Sequence, residues 1–417
     1  MHHYASIDPI PTTVDGSVDS NGIGAATLGR MNPVALGIPT VGNSTVGNSP
    51  TVARGGLGVL PRQRDSGAAQ GGPGALPRGR GSGASPTGGG LVDSYGRRAK
   101  DLRISLTDRC NLRCTYCMPA EGLDWMPGDD LLSDDELVAI IDVAVRHLGI
   151  EEIRFTGGEP LLRKGIVDLI RRVGELSPRP EMSLTTNGIG FAARAADFVA
   201  AGLDRINISL DSLDPDTFLR LTRRPRLADV LAALSAAADA GLAPVKINAV
   251  LMRGLNDHEA PDLLRFSLDH GYQLRFIEQM PLDAGHSWTR ERMVTADQIL
   301  ETLTAEFDLT PHAGARLGAP AELFDVDGGP ATVGIIASVT RPFCGDCDRT
   351  RLTADGQVRT CLFSRNETDL RALVRAGAGA EQIADAWRTA TWGKLPGHAI
   401  NDPSFLQPDR PMSAIGG

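Results

Sequence analysis

Glutamate is missing from the first 98 residues of this 417-residue chain and aromatic side chains are nearly so, while glycine, proline and serine abound. A segment so poor in apolar groups cannot bury enough surface to offset the entropy of ordering it, so residues 1–98 are expected to form a disordered, low-complexity extension. Within it GGLGVLPRQRDSGAAQ, from Gly55, runs directly into the near copy GGPGALPRGRGSGASP, from Gly71. A duplication with no apolar face is not a solenoid. No stretch is long and apolar enough to span a bilayer, and the first residues lack the basic start and apolar core of a secretory signal. The expectation is a cytoplasmic protein without a membrane partner. Net basic charge is lacking too. The extension holds eight arginines and five aspartates, so a whole-chain charge of −9 leaves about −12 on the remainder, a poor footprint for DNA or RNA. Cysteine is scarce: six in all, in two groups of three. An odd number per group, with no export signal, favours metal over disulfides.

What is present begins with LTDRCNLRCTYCMP. Cys110, Cys114 and Cys117 stand at C-x-x-x-C-x-x-C spacing just after the short apolar run Leu102 to Leu106, which puts three thiols on one loop behind a strand. Four-iron clusters normally take four cysteines, so three leave one iron open to a small molecule. A structural zinc site usually closes four positions with two C-x-x-C or C/H-x-x-H units and is the alternative. This spacing, with the aromatic Tyr116 directly before the third cysteine, resembles the signature of the radical S-adenosylmethionine (SAM) enzymes, in which the open iron chelates SAM.

From Asp101 strands and helices alternate. DLRIS, EEIRFT, EMSLTT, DRINIS, VKINAV and QLRFIEQ read as strands. Helices are expected over 133–148, opened by the capping box Ser133…Glu136, and near 165–176, 192–201, 227–240 and 259–270. Six strands at this alternation predict parallel pairing with right-handed crossovers. The polar Gly157-Gly158-Glu159, Thr185 to Gly188, Ser209 and Asp211 fall at the carboxyl ends of these strands, where parallel barrels place their sites. The fold class is α/β, a partial (β/α)6 TIM-like barrel, with a full eight-stranded barrel as the alternative. TGGEP at Thr156 is either a tight turn or a backbone that approaches a ligand closely.

Beyond about Asp283 the alternation stops. A helix is expected from Thr295, with the box Thr295…Gln298, followed by short strands such as ATVGIIAS. Cys344, Cys347 and Cys361 form C-x-x-C-x13-C without a fourth cysteine or histidine, which favours a second open four-iron cluster over zinc. Arg349 and Arg351 are either a surface pair or an anion site. Arg103, Arg154, Lys246 and Arg275 lie on predicted barrel strands, where charge is costly unless it is bound to something, and a polyphosphate would supply the countercharge.

Taken together, both triads, IRFTGGEPLLR, TTNG, NISLD, RFIEQM, FCGDCDRTRL and the final Gly416-Gly417 resemble the molybdenum cofactor biosynthesis protein A family, the GTP 3',8-cyclases, from about Leu102 onward. The resemblance implies a barrel of the radical SAM type over 99–282 and a smaller C-terminal region, 283–417, carrying the second iron-sulfur cluster and binding GTP. It implies two 4Fe-4S clusters, on Cys110, Cys114 and Cys117 and on Cys344, Cys347 and Cys361, with Tyr116, Gly158, Ser209 and Met280 around SAM. Arg103, Arg154, Thr185, Lys246, Arg275, Arg349, Thr350 and Arg351 would meet GTP, and Arg103, Arg349 and Arg351 would act in catalysis. A 5'-deoxyadenosyl radical would take the ribose 3' hydrogen, and the carbon radical would attack guanine C8. Implied partners are GTP, a protein reductant and a downstream cyclic pyranopterin monophosphate synthase, with a homodimer allowed. Gly416-Gly417 would reach into the barrel, the terminal carboxylate pairing with Arg103. One departure stands out: where better-known members carry lysine, two residues before Arg154, this chain has Glu152. A peptide-modifying radical SAM enzyme and a zinc-binding module are the rival readings.

Overall fold

The alternation opens with β1 (Asp101–Ser105), α1 (Asp134–Leu148), β2 (Glu152–Thr156), α2 (Ile166–Gly174), β3 (Glu181–Thr186), α3 (Ala195–Ala200) and β4 (Arg205–Ser209). It continues with α4 (Pro215–Thr222), α5 (Leu227–Asp239), β5 (Val245–Val250), α6 (Ala260–Asp269) and β6 (Gln273–Ile277). The computed structural model describes residues 88–416, apart from 315 and 317. Ser133 accepts from the Glu136 amide while the Glu136 carboxylate accepts from the Ser133 amide, so the expected box starts α1. The short helix α4 carries its own cap, Asp214 accepting from the Thr217 amide ahead of Pro215.

After β6 come α7 (Ala296–Thr304), entered through the Thr295–Gln298 box, then β7 (Leu309–Pro311), β8 (Glu322–Val326), β9 (Thr332–Ile336) and β10 (Arg349–Leu352). The chain ends with β11 (Gln357–Arg359), β12 (Thr368–Asp369), α8 (Leu370–Arg375), α9 (Ala380–Trp392) and α10 (Met412–Ile415). β9 pairs parallel with β6, and β10 pairs parallel with β1. Eight strands therefore run parallel in the order β10-β1-β2-β3-β4-β5-β6-β9, the six expected barrel strands joined by β9, expected only as a short strand beyond the alternation, and by β10. β9 and β10 are not sheet neighbours, so the barrel stays open there, and antiparallel β7-β8 and β11-β12 extend its two edges.

Period-two alternation sorts the wall into two faces. Leu102, Ile104, Ile153, Phe155, Leu184, Ile206, Ile208, Ile247 and Phe276 are buried and pack with Leu137, Ile140, Ile141 and Leu148 of α1 and with Val230 and Leu234 of α5 in one continuous core. The intervening positions, among them Arg103, Arg154, Ser183, Asn207, Lys246 and Arg275, face the barrel interior. Gly334 on β9 has a specific reason: a Cβ there would stand 2.8 Å from Arg275 Cγ.

The ordered body starts earlier than the expected boundary at residue 98. Leu91 is fully buried, its carbonyl accepting from the Ala99 amide at 2.8 Å, and Asp93 is 1% exposed. The correction has a physical cause: Asp93 Oδ2 takes Arg97 Nε at 2.5 Å, and a buried ion pair ties these residues to the barrel. Residues 1–87 lie outside the described residues. Among the described residues no helix is long and apolar enough to cross a membrane.

Candidate functional site

The two cysteine loops occupy opposite mouths of the barrel. Cys110, Cys114 and Cys117 follow the carboxyl end of β1, whereas Cys344 and Cys347 precede the amino end of β10, which runs parallel to β1. Cys361 follows β11, which returns antiparallel to β10 and brings the third thiol to the same mouth. Five strand residues at about 3.3 Å each separate the mouths by roughly 17 Å.

The first mouth is a cavity lined by Cys110, Cys114, Cys117, Tyr116, Gly158, Thr185, Ser209, Asp211, Asn248, Met280 and Ser413. Tyr116 donates its hydroxyl to Asp211 Oδ2 at 2.6 Å. Burial, against the pull of that bond, raises the Asp211 carboxyl to about 6. The Gly157-Gly158-Glu159 turn is pressed on the loop leading to Cys110: the Gly158 amide donates to the Thr107 carbonyl and the Glu159 amide to the Arg109 carbonyl, both at 2.7 Å. A Cβ on Gly158 would lie 2.3 Å from the Arg109 carbonyl oxygen. The close approach that demands glycine is thus to the protein's own cysteine loop. Glu159, named in the sequence among the polar residues at the strand ends, is tied into this site. It is 1% exposed, accepts from Thr186 Oγ1 at 2.7 Å and from the Asn187 amide at 2.8 Å, and is raised to about 7 by burial.

The second mouth is lined by Cys344, Cys347, Cys361, Arg349, Arg351, Phe343, Phe363, His398 and again Met280, which belongs to both cavities. Arg97 and Lys394, unremarkable in the sequence, hold this end. Arg97 donates to the carbonyls of Cys344, Leu395 and Pro396 at 2.6–2.9 Å. Lys394 donates to those of Cys347 and Arg349.

Between the mouths the register aligns Arg351, Arg103 and Arg154 across β10, β1 and β2, and Arg349 with Asp101 and Glu152. Asp101, missed from sequence, is a buried carboxylate held below its usual range: burial alone would raise it, and Arg103, Arg154, Arg349 and Arg351 overcome that. Burial, with Arg275, Arg205 and Arg154, brings Lys246 down to about 8, and burial with Arg154 and Arg205 brings Arg275 to about 9. Glu152 does not point a lone charge inward: it pairs with Arg205 at 3.1 Å, and Arg205 also takes Glu181 at 2.6 Å. Thr350 is a correction. Alternation between the inward Arg349 and Arg351 turns its side chain to the helix layer, where Trp387 Nε1 of α9 donates to it at 3.0 Å, so only its backbone is on the site side.

Gly416 enters the interior as the resemblance implied. Its carbonyl accepts from Arg351 Nη1 at 2.7 Å, and a Cβ would meet Ser105 Oγ at 2.5 Å and Thr156 Cγ2 at 2.7 Å. Gly417, with the carboxylate expected near Arg103, lies outside the described residues.

The donor sets fit iron-sulfur clusters better than single ions. Three thiols leave a single zinc short of its usual four ligands, whereas a four-iron cube can be held at three corners with one iron open. Burial pushes the Cys110 and Cys117 thiols up to about 11 and 12, a cost that bound iron reverses. Cys347 is brought to about 7, Lys394 and Arg349 outweighing burial. Among the described residues the interior also holds buried polar atoms without a hydrogen-bond partner, Arg103 Nε, Arg275 Nε, Asn248 Oδ1 and Ser413 Oγ, as a cavity built for a polar ligand would.

Residues 104–267 match the Radical SAM superfamily, and residues 272–400 match Molybdenum Cofactor Synthesis C. The GTP 3',8-cyclase of Streptomyces coelicolor is 65% identical over 328 residues, 78% of this chain and 96% of that protein. The GTP 3',8-cyclase of Mycolicibacterium smegmatis is 56% identical over 393 residues, 93% of this chain and all of that protein. Residues 99–417 are only about three quarters of the chain, so this relative also matches most of the segment expected to lie outside the resemblance. Among solved structures, Streptococcus suis SuiB bound to S-adenosylmethionine has a TM-score of 0.45 at 14% identity over 66% of this chain and 65% of that one, too distant to bear on chemistry. A barrel with one cysteine triad at each mouth, matched over nearly the whole length of these relatives, places the chain in the GTP 3',8-cyclase family of radical SAM enzymes.

Proposed function

We infer that this chain converts GTP to 3',8-cyclo-7,8-dihydro-GTP, the first step of molybdenum cofactor biosynthesis. The observation that carries the reading is the interior between the two triads: Arg103, Arg154, Lys246, Arg275, Arg349 and Arg351 face a space enclosed at each end by three thiols. Cys110, Cys114 and Cys117 hold the first 4Fe-4S cluster, and Cys344, Cys347 and Cys361 the second. When bound, the first cluster and SAM supply a 5'-deoxyadenosyl radical that abstracts the ribose 3' hydrogen. Tyr116, oriented by Asp211, lies with Gly158, Ser209 and Met280 along the SAM cavity. Lys246, Arg154 and Arg275 offer the triphosphate multidentate cationic donors, and Thr185 faces the ribose end. Arg103, Arg349 and Arg351 fix the nucleoside portion, with the backbone of Thr350 at their level. Residues 99–282 thus supply the SAM cavity and most of the cations that face GTP, and residues 283–417 the second cluster together with Arg349 and Arg351. The protein's share is to orient the reactants and keep water out. A protein reductant delivers electrons, a cyclic pyranopterin monophosphate synthase consumes the product, and homodimer assembly in the cytoplasm completes the reading.

The test is anaerobic incubation of the reconstituted protein with SAM, a reductant and GTP deuterated at the ribose 3' position. Label should appear in 5'-deoxyadenosine together with cyclised nucleotide. Cys344→Ala should still cleave SAM but yield no cyclised product. Unlabelled 5'-deoxyadenosine from the wild-type protein, or cyclisation by Cys344→Ala, refutes the reading.

A further inference from the structure

Most of the cations at the second mouth have an acid of their own. Arg97 is paired with Asp93 at 2.5 Å, Arg349 with Asp348 at 3.4 Å and Arg359 with Glu367, while Arg351 donates to the Gly416 carbonyl at 2.7 Å. Lys394, in the turn after α9, differs. The residue is 5% exposed, and among the described residues no carboxylate lies within ion-pair distance of its ammonium. Its three contacts are the carbonyls of Cys347 at 3.1 Å and Arg349 at 2.9 Å, and the Cys347 sulfur at 3.5 Å. Two carbonyl dipoles do not neutralise a buried positive charge, and an uncompensated buried ammonium is strongly unfavourable. Its compensating charge must therefore come from the sulfur side, from a thiolate and whatever negative charge that thiolate's cluster carries.

We propose that Lys394 is the countercation of the second cluster, its N–H bond to the Cys347 sulfur biasing that cluster toward the reduced state. The inference rests on the reading that Cys344, Cys347 and Cys361 hold a 4Fe-4S cluster. Adding one electron to such a cluster adds one negative charge. A fixed ammonium in contact with a ligand sulfur stabilises the more negative form, since hydrogen bonds to sulfur and local charge set cluster potentials. Among the described residues the polar contacts of Lys394 are two backbone carbonyls and the Cys347 sulfur, so it acts as a positioning residue through Cys347. The sequence offered no sign of it, because 47 positions separate it from the sulfur it meets.

The experiment is a redox titration of full-length, reconstituted holoenzyme with SAM present, so that the SAM-perturbed paramagnetic signal of the first cluster is distinguished from the second. Lys394→Gln keeps donors for the two carbonyls but removes the charge. At a fixed ambient potential its ratio of reduced to oxidised second cluster should fall about tenfold, the loss expected for one charge-assisted hydrogen bond. The first cluster should titrate as in the wild type, and Lys394→Arg should stay within about twofold of the wild-type ratio. An unchanged ratio in a fully loaded Lys394→Gln protein overturns the proposal, as does an equal shift in both variants. If Lys394→Gln loses the second cluster, loading restored by Lys394→Arg supports the charge role and loading lost in both overturns it. Wild-type protein with only one cluster signal would sink the functional reading instead.

Discussion

The placement of residues 88–98 inside the folded body leads to a sharp truncation experiment. A chain starting at Gly88 keeps Leu91, Asp93 and Arg97, whereas a chain starting at Gly96 keeps Arg97 but loses its acid. Leu91 is fully buried, and removing it forfeits about 1.5–3 kcal/mol of apolar burial. Asp93 and Arg97 form a pair with side chains 1% and 6% exposed, and breaking such a pair from one side costs about 3–5 kcal/mol because the other charge is stranded. The combined loss is a large part of the 5–15 kcal/mol by which ordinary domains are stable. At about 2 °C per kcal/mol for a body of this size, the melting temperature should fall by roughly 10 °C. The loss is also directional, since the same guanidinium grips the Cys344, Leu395 and Pro396 carbonyls. Iron in the chain starting at Gly96 should drop from about eight to about four atoms per molecule, with the SAM-responsive signal retained. The chain starting at Gly88 should match the full-length protein in melting, iron and turnover. Equal iron and melting for both truncations would refute the claim that Asp93 and Arg97 anchor the second mouth.

Gly416→Ala should leave iron content unchanged but lower deuterium transfer from GTP to 5'-deoxyadenosine by up to about 100-fold, because the tail must leave the Ser105–Thr156 contact and release Arg351. Wild-type transfer from that variant would mean the tail is only a chain end. The affinity for GTP, followed calorimetrically, should weaken as pH rises through about 8. Below that value Lys246 is already charged when GTP arrives; above it the protein must take up a proton, and Kd should rise up to tenfold per pH unit. Burial and the facing Arg275, Arg205 and Arg154 lower Lys246, opposed by Glu152, so Lys246→Met should remove the dependence while weakening binding at neutral pH; a persistent dependence would assign it elsewhere.

Local chemistry was legible in the sequence wherever period and spacing speak for themselves. The six strands from DLRIS to QLRFI, the capping boxes at Ser133 and Thr295, and both cysteine triads needed no tertiary information, because each is specified within a few residues of chain. β10 was hidden for a physical reason: Arg-Thr-Arg-Leu carries its charges on the face that looks into the barrel, so the hydrophobic signal of a buried strand is absent. With β10 unseen, Thr350 could not be assigned to the outer face, nor the two triads to opposite mouths, since both follow from parallel pairing with β1. The Glu152 departure was visible, but its partner was not, because Arg205 reaches it across two strands. Arg97 and Lys394 were likewise unreadable: each meets the second cysteine loop only after the chain has wrapped the whole barrel. Residue identity determined which reactive groups this protein possesses, and the parallel pairing of eight strands into an open barrel decided which of them face one another, because only packing brings distant, ordinary-looking cations onto a buried sulfur.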